Sequence, residues 1–367
     1  GLLSSCGGKS GGSSSGSASG ADTSKYTVLY SSQPATLNYL TTATDLEMVV
    51  GANCVDTLVE YDNKGVMREG LATKWEWDAD TLTWTFTLRE ENWVDNNGEV
   101  VAPVTAQDFV DALQYVLTPD YASSNVGLVT AYIAGADDYY NYHVYLTNAE
   151  NGTVDDDGTT YVTDGSGNVT VTAADGTAST YAPVDFDSVG VTAVDDKTLE
   201  VQLNVPVSYF LSLMYFPTFY PVNEAFYNTC ADTFGTSPDT VLSNGAFVLT
   251  DYQPAATAFA MEKNPDYYDA DKIALDGLAY QVIKDSQQAL MSYQTGTLDI
   301  TLLNGEQVDQ VKDDPEFTSV GAGYLWYISP NIDAVPDLAN LNLRKAMTFA
   351  LDRDAITGDV LKDGSTP

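Results

Sequence analysis

Residues 75–116 read WEWDADTLTWTFTLREENWVDNNGEVVAPVTAQDFVDALQYV. Two periods follow one another in this stretch. Leu82, Trp84, Phe86 and Leu88 alternate with Thr81, Thr83, Thr85 and Thr87. That is the pattern of a strand, Thr81 to Leu88, with one face on a core. Trp75 to Trp77 supplies the partner strand, and Asp78-Ala79-Asp80 the turn between them. Then Thr105-Ala106-Gln107-Asp108 gives a helix-capping signal, and Phe109, Ala112, Leu113 and Val116 carry a helical stripe. A hairpin that passes into a capped helix, with no regular βαβ repeat elsewhere, predicts an α/β or α+β chain with large mixed sheets.

The same reading extends in both directions. Tyr26 to Ser32 is expected as a first strand. Thr44-Asp45-Leu46-Glu47 has the capping-box form, and Leu46, Val50, Cys54 and Leu58 recur at every fourth position behind it. Residues 148–182 shift to Asp, Gly, Thr and Asn with interleaved Val and Tyr, which predicts a protruding β-hairpin insertion with polar faces. Leu199, Val201 and Leu203 mark a further strand. Asp285 opens a helix carrying Ala289, Leu290 and Tyr293. Asn342 opens the last one, with Ala346, Met347, Ala350 and Leu351 inward.

Composition narrows function. The 367 residues allow two or three domains and a large core. Fifteen basic against 52 acidic residues give a net charge of −37, which argues against binding to nucleic-acid phosphates or a bare anionic bilayer. Such a charge keeps a protein soluble. Three cysteines without a CxxC do not make a disulfide framework; Cys54 and Cys230 read as small buried hydrophobes. No run of 18 apolar residues occurs.

The only histidine, His143, has no zinc-spaced partners, and no GxSxG accompanies it. Asp155-Asp156-Asp157-Gly158 is similar to the start of a calcium loop but lacks the alternating ligands and the closing Glu. No phosphate-binding glycine loop is present. What is missing argues against an enzyme and gives no sign of a metal or a cofactor, while Asp and Glu are too numerous for inspection to exclude a carboxylate pair for glycoside hydrolysis. The chain's 24 Tyr, 12 Phe and 5 Trp suit recognition surfaces as well as cores.

At the start, Leu3-Ser4-Ser5-Cys6 resembles the lipobox of a bacterial lipoprotein, with Leu2 and Leu3 ending an apolar signal region. Cys6 is then the lipid attachment point. Twelve of the fourteen residues from Gly7 to Gly20 are Gly or Ser. As a flexible tether, residues 7–24 would span about 20–25 Å. The expected location is the outer face of the cytoplasmic membrane, lipid-anchored, in a Gram-positive cell rather than a periplasm.

Ordered segments resemble the bacterial extracellular solute-binding proteins of family 5, the oligopeptide-binding components of ABC importers. They begin with LNYLTTATDLEMVVGANCVDTLVEYDNKGVMREGLATKWEWDADTLTWTFTLREENW (37–93) and APVTAQDFVDALQYVLTP (102–119). SVGVTAVDDKTLEVQLNVPVSYFLSLMYFPTFYPVN (188–223) and LSNGAFVLTDYQP (242–254) follow. MEKNPDYYDADKIALDGLAYQVIKDSQQALMSYQTGTLDI (261–300) and LNLRKAMTFALDRDAITGDVLKDG (341–364) complete the set. The resemblance implies a two-lobed periplasmic-binding-protein-like α/β fold (class II, cluster C type). It divides the chain into a leader, lipobox and linker (1–24), a first part of lobe I (25–65) and a small subdomain with the insertion (66–182). Lobe I continues over 183–325, and lobe II starts at 326–367.

Family members continue past the LDRDAI helix, so a C-terminally truncated lobe II is expected. With it goes the family's acidic contact for the peptide N-terminus.

The resemblance further implies oligopeptide capture in an interlobe cleft by a monomer that delivers to ABC permease subunits. Carried over residue by residue, the ligand contacts are Thr42, Ala43 and Thr44 after LNYL, Tyr121 in TPDYASS, and Asn244, Gly245 and Ala246 in SNGAF. Tyr267 in NPDYY and Asn331 in SPNID complete the set. Arg344, Asp352 and Arg353 are expected to fix their helix by ion pairs instead. Alternative readings keep the fold but change the ligand to a nickel chelate, haem or an oligosaccharide, or abandon it for a secreted glycosidase or adhesin. The single His weighs against metal or haem, and the ordered segments weigh against the last.

Overall fold

The computed structural model describes residues 2–4 and 24–367; Cys6 and the whole Gly/Ser stretch lie outside the described residues. The chain forms two compact units. Residues 33–278 make one; residues 1–32 and 279–367 make the other.

The core of the first unit is a four-stranded antiparallel sheet. Its spatial order is Val191–Asp195, Thr198–Gln202, Thr83–Leu88, Ala72–Asp78. Trp75 faces Phe86 and Trp77 faces Trp84 across the expected hairpin. Phe86, Leu199 and Val201 are buried on one face. Against them packs the helix Ala106–Val116, which buries Phe109, Val110, Ala112, Leu113 and Val116. The strand starts at Thr83, two residues later than the Thr/apolar alternation suggests. Asp78 is the reason. Its Oδ1 accepts the N–H groups of Asp80 (2.9 Å) and Thr81 (3.4 Å), winding the turn onward until Leu82 sits at φ 55°.

The two capping signals part company. At Thr105 the reciprocal cap forms: Asp108 Oδ2 accepts the Thr105 N–H at 3.0 Å and also the Trp93 indole N–H at 2.8 Å. Burial pushes the Asp108 carboxyl up to about 6. At Thr44 it does not form. The helix Asp45–Cys54 is present, with Val50 and Cys54 buried, but Thr44 makes no side-chain cap. Glu47 turns inward instead, accepting the Ala35 and Thr36 N–H groups and the Thr42 hydroxyl. A buried carboxylate offered three donors from a neighbouring loop is better satisfied there than by one helix-end N–H. Leu58, buried, lies beyond the helix end rather than on its stripe.

The insertion is not a two-stranded hairpin. Thr160–Thr163, Val169–Thr172 and Ala178–Tyr181 form a three-stranded antiparallel meander with the middle strand in sequence at its centre. Nor are both faces polar. Val169 is fully buried, and Tyr161 and Tyr181 pack on Tyr145 of the long helix Ala136–Asn151. His143 lies between Tyr139 and Tyr142, with Nε2 3.2 Å from the Val184 carbonyl. Asp155 accepts the Tyr161 hydroxyl, and Asp157 the Thr159 N–H, so this acidic run serves turns. Both Cys54 and Cys230 are free. Cys54 is buried as expected, whereas Cys230 is only half-buried because its short helix, Glu224–Cys230, ends at the surface.

In the second unit, Leu290, Tyr293, Leu298 and Val311 form a small core with Leu29, Ile283, Leu303 and Phe317 packed on it. Asp285 caps the helix Ser286–Gln294, as expected, through the Gln288 N–H (2.7 Å). The backbone of Leu2–Ser4 pairs between Ile300–Leu302 and Phe317–Thr318. The last long helix, Leu341–Ala350, follows an Asn340 cap and begins one residue before the expected Asn342. It buries none of its residues; Ala346, Met347, Ala350 and the following Leu351 are all exposed rather than inward. Arg344 donates to the Leu338 and Ala339 carbonyls (2.7 and 2.8 Å), and Asp352 caps the next turn through the Ala355 N–H. These are backbone bonds where ion pairs were expected.

Candidate functional site

The helix Asp45–Cys54 organises the site, because polar groups gather at each of its ends. At its C-terminus the Cys54 carbonyl is one of the helix's unpaired acceptors. It takes two N–H groups, from Asn244 (2.9 Å) and Gly245 (2.8 Å). Only glycine permits this approach: a Cβ at 245 would lie 2.9 Å from the Cys54 carbonyl carbon.

Asn244 is fully buried, and its Oδ1 accepts the Asp56 N–H at 2.8 Å. Asn264 closes the arrangement. Its Nδ2 donates to the Gly245 carbonyl and its N–H to the Ala246 carbonyl, both at 2.9 Å. From the same turn, Tyr267 and Tyr268 send their hydroxyls to Glu60 Oε1 at 3.1 and 3.4 Å. Asn244, Gly245, Ala246 and Tyr267 are thus brought together, although SNGAF and NPDYY are separated in sequence.

The electrostatics here are unusual for a structural cluster. Asp56 is buried beside Glu60, and burial first, then that neighbouring charge, drives its carboxyl well above the ordinary range. Burial also holds the phenols of Tyr267 and Tyr268 far above theirs. Nearby Glu91, whose Oε2 accepts the Tyr268 N–H, is pushed by burial up to about 7. Two polar atoms here, Asp56 Oδ2 and Asn244 Nδ2, are buried without a hydrogen bond of good geometry, although the Glu60 carboxyl and the Tyr268 hydroxyl stand beside Asp56. Such orphans are costly and call for an explanation.

At the N-terminal end of the helix the loop 38–44 meets the turn 121–125. Asn125 Nδ2 donates to the Thr42 carbonyl (2.9 Å), Ser123 to the Leu40 carbonyl (2.6 Å), and the Ser124 N–H to the Thr41 carbonyl (3.0 Å). Thr42 is buried, while Ala43 and Thr44 are exposed. Tyr121 stacks on Tyr115, ring centroids 3.9 Å apart and planes 4° from parallel, and Asn38 Nδ2 lies 3.4 Å from the Tyr115 hydroxyl. The ten-residue helix separates this group from the Asn244 group by about 15 Å. Asn331 belongs to the other unit. There its Oδ1 accepts the Ala334 N–H at 2.9 Å, a turn role.

Several partners escape sequence reading. Asp56, Glu60, Asn125 and Asn264 are single polar residues whose types carry no sign of burial. Tyr268 stands beside Tyr267 in NPDYY, and nothing in the sequence marks it as a second partner of Glu60. Among the described residues, no group of three or more His, Cys, Asp or Glu is placed to hold a metal ion. No described helix is long and apolar enough to cross a membrane.

Similar proteins are known. Residues 67–367 match the family model described as "Bacterial extracellular solute-binding proteins, family 5 Middle". The oligopeptide-binding protein SarA of Streptococcus gordonii is 31% identical over 100% of this chain and 53% of its own length. The oligopeptide-binding protein OppA of Bacillus subtilis is 31% identical over 84% of this chain and 49% of its own. Among solved structures, Listeria monocytogenes OppA bound to peptide superposes with a TM-score of 0.70 at 25% identity, covering 95% of this chain and 60% of that one. The chain spans about half the length of the curated relatives it matches. The mixed α/β fold, the ordered segments and the family match over 67–367 agree: this chain belongs to the bacterial extracellular solute-binding proteins, family 5.

Proposed function

We propose that the protein captures oligopeptides outside the cell and delivers them to an ABC permease. The supporting observation is the likeness over nearly the whole chain to proteins named as oligopeptide-binding, one of them solved with peptide bound. In this reading the peptide lies extended in a cleft of the whole protein and is held chiefly through its backbone. Backbone pairing does not depend on side chains, so many sequences are accepted. Water in the side-chain pockets adapts the fit. Domain closure then buries the ligand.

Thr42, Ala43, Thr44, Tyr121, Asn244, Gly245, Ala246, Tyr267 and Asn331 are the proposed contacts. The unpartnered Asn244 Nδ2 and the buried Asp56 carboxyl support a polar role for that end of the helix. Cys6 is proposed as the lipid anchor that keeps a soluble, monomeric body at the outer membrane face.

The test uses the full-length protein. Mixed tri- to hexapeptides should raise its thermal midpoint in proportion to the logarithm of their concentration. Mass spectrometry of the purified protein should reveal co-purified peptide. A midpoint that moves with a sugar or a metal chelate, but not with any peptide, would sink the reading.

A further inference from the structure

Two helices and a turn line a half-open pocket that the contacts above do not use apart from Tyr121. Asp111 and Tyr115 stand one turn apart on the helix Ala106–Val116. Glu224 and Tyr227 stand one turn apart on the helix Glu224–Cys230, with Asn228 beside them. Tyr121 closes the third side from the turn Pro119–Tyr121. The pocket volume is about 180 Å3, with one side open to solvent. That is room for about six waters, or for one small organic group.

The chemistry of the walls is one-sided. Tyr115 and Tyr121 are stacked, and Tyr227 meets Tyr115 edge-on, with centroids 5.1 Å apart and planes at 81°. The two carboxylates, Asp111 and Glu224, face the same space, and no basic residue lines it. Among the described residues, neither carboxylate has a Lys or Arg in ion-pair range. Burial first, and then the Glu224 charge, raise the Asp111 carboxyl above its usual value, although the Gln107 amide donates to its Oδ1 at 2.7 Å. A cation between the two would relieve that repulsion. Aromatic faces favour a cation that is large, weakly hydrated and partly apolar. A divalent metal would instead need several carboxylate or carbonyl oxygens at fixed short distances.

The geometry points to a binding site for a compact organic cation, an alkylammonium or guanidinium group, held by Tyr115, Tyr121 and Tyr227 with Asp111 and Glu224 as counter-charges. Such a group reaches the site on a basic peptide side chain or as a free small amine or guanidine. The first source rests on the oligopeptide reading; the second does not.

The test titrates full-length protein, stripped of ligand, with n-butylammonium and methylguanidinium by calorimetry. Butanol and methylurea serve as uncharged counterparts. Saturable binding of the cations alone is expected. Glu224→Gln should weaken it about threefold, as loss of one exposed counter-charge. Glu224 is exposed, so this variant keeps the fold; Asp111→Asn serves as the second variant. Equal heats from charged and uncharged probes, or cation binding unchanged in both variants, would overturn the inference.

Lys- and Arg-containing peptides identify the source. Competition with butylammonium supports the site and assigns the group to a peptide side chain. Simultaneous binding supports the site and assigns it to a free amine. Cation binding with no peptide binding at all would uphold the site while removing the oligopeptide reading.

Discussion

Asp108 shows how much one residue carries at the scale of single side chains. It caps its helix, accepts the Trp93 indole and is held up to about 6 by burial. A carboxyl whose folded value is raised contributes stability that is complete below its unfolded value and lost as pH rises through the folded one. For Asp108 that window runs from 3.8 to about 6. Asp108→Asn keeps an oxygen for both accepted bonds and removes the titration. The variant should match the parent below pH 4 and exceed it near pH 8 by on the order of 2 kcal/mol. Urea unfolding at the two pH values measures this; an equal offset at both would exclude the titration as the cause. The motif around Asp108 was legible because its cap is local, spanning four residues. Glu47, in the same sequence pattern, went elsewhere because its best donors, Ala35, Thr36 and Thr42, come from a loop that only the fold delivers.

Among elements, the insertion makes the clearest case. Its polar composition suggested exposure on both faces. Strand alternation still lets a few residues, above all Val169, line one face, and the helix Ala136–Asn151 covers that face with Tyr145. The meander depends on this single layer of contacts. Val169→Asp would bury an unpaired charge, at a cost of about 3 kcal/mol or more. The expected result is local opening: new protease cleavage between residues 153 and 183, with peptide binding and the main thermal transition little changed. Loss of the whole fold would show that the insertion is not an independent layer. The helix Leu341–Ala350 makes the opposite point. Its amphipathic pattern was readable, but its apolar face finds no cover among the described residues. A stripe states that a face can be buried; only a partner buries it.

For the molecule as a whole, charge dominates. With 52 acidic and 15 basic residues, repulsion acts against the compact state. Raising NaCl from about 10 mM to about 500 mM shortens the screening length from about 30 Å to under 5 Å. The thermal midpoint should rise by several degrees. A flat response would mean that the acidic groups are already spaced or paired well enough to cancel. Membership of the solute-binding family was legible at this scale, since ordered segments survive in sequence order and need no coordinates. The alternation and capping signals likewise determined the main sheet and helices, because they depend on neighbours within a few residues. The tertiary structure alone decided which polar residues meet. Asn244 finds Asp56, Asn264 ties off Gly245 and Ala246, and Tyr115, Tyr121 and Tyr227 surround one cavity. Those meetings join positions far apart in the chain. Long-range partners of this kind are properties of the packed whole, so no local pattern encodes them.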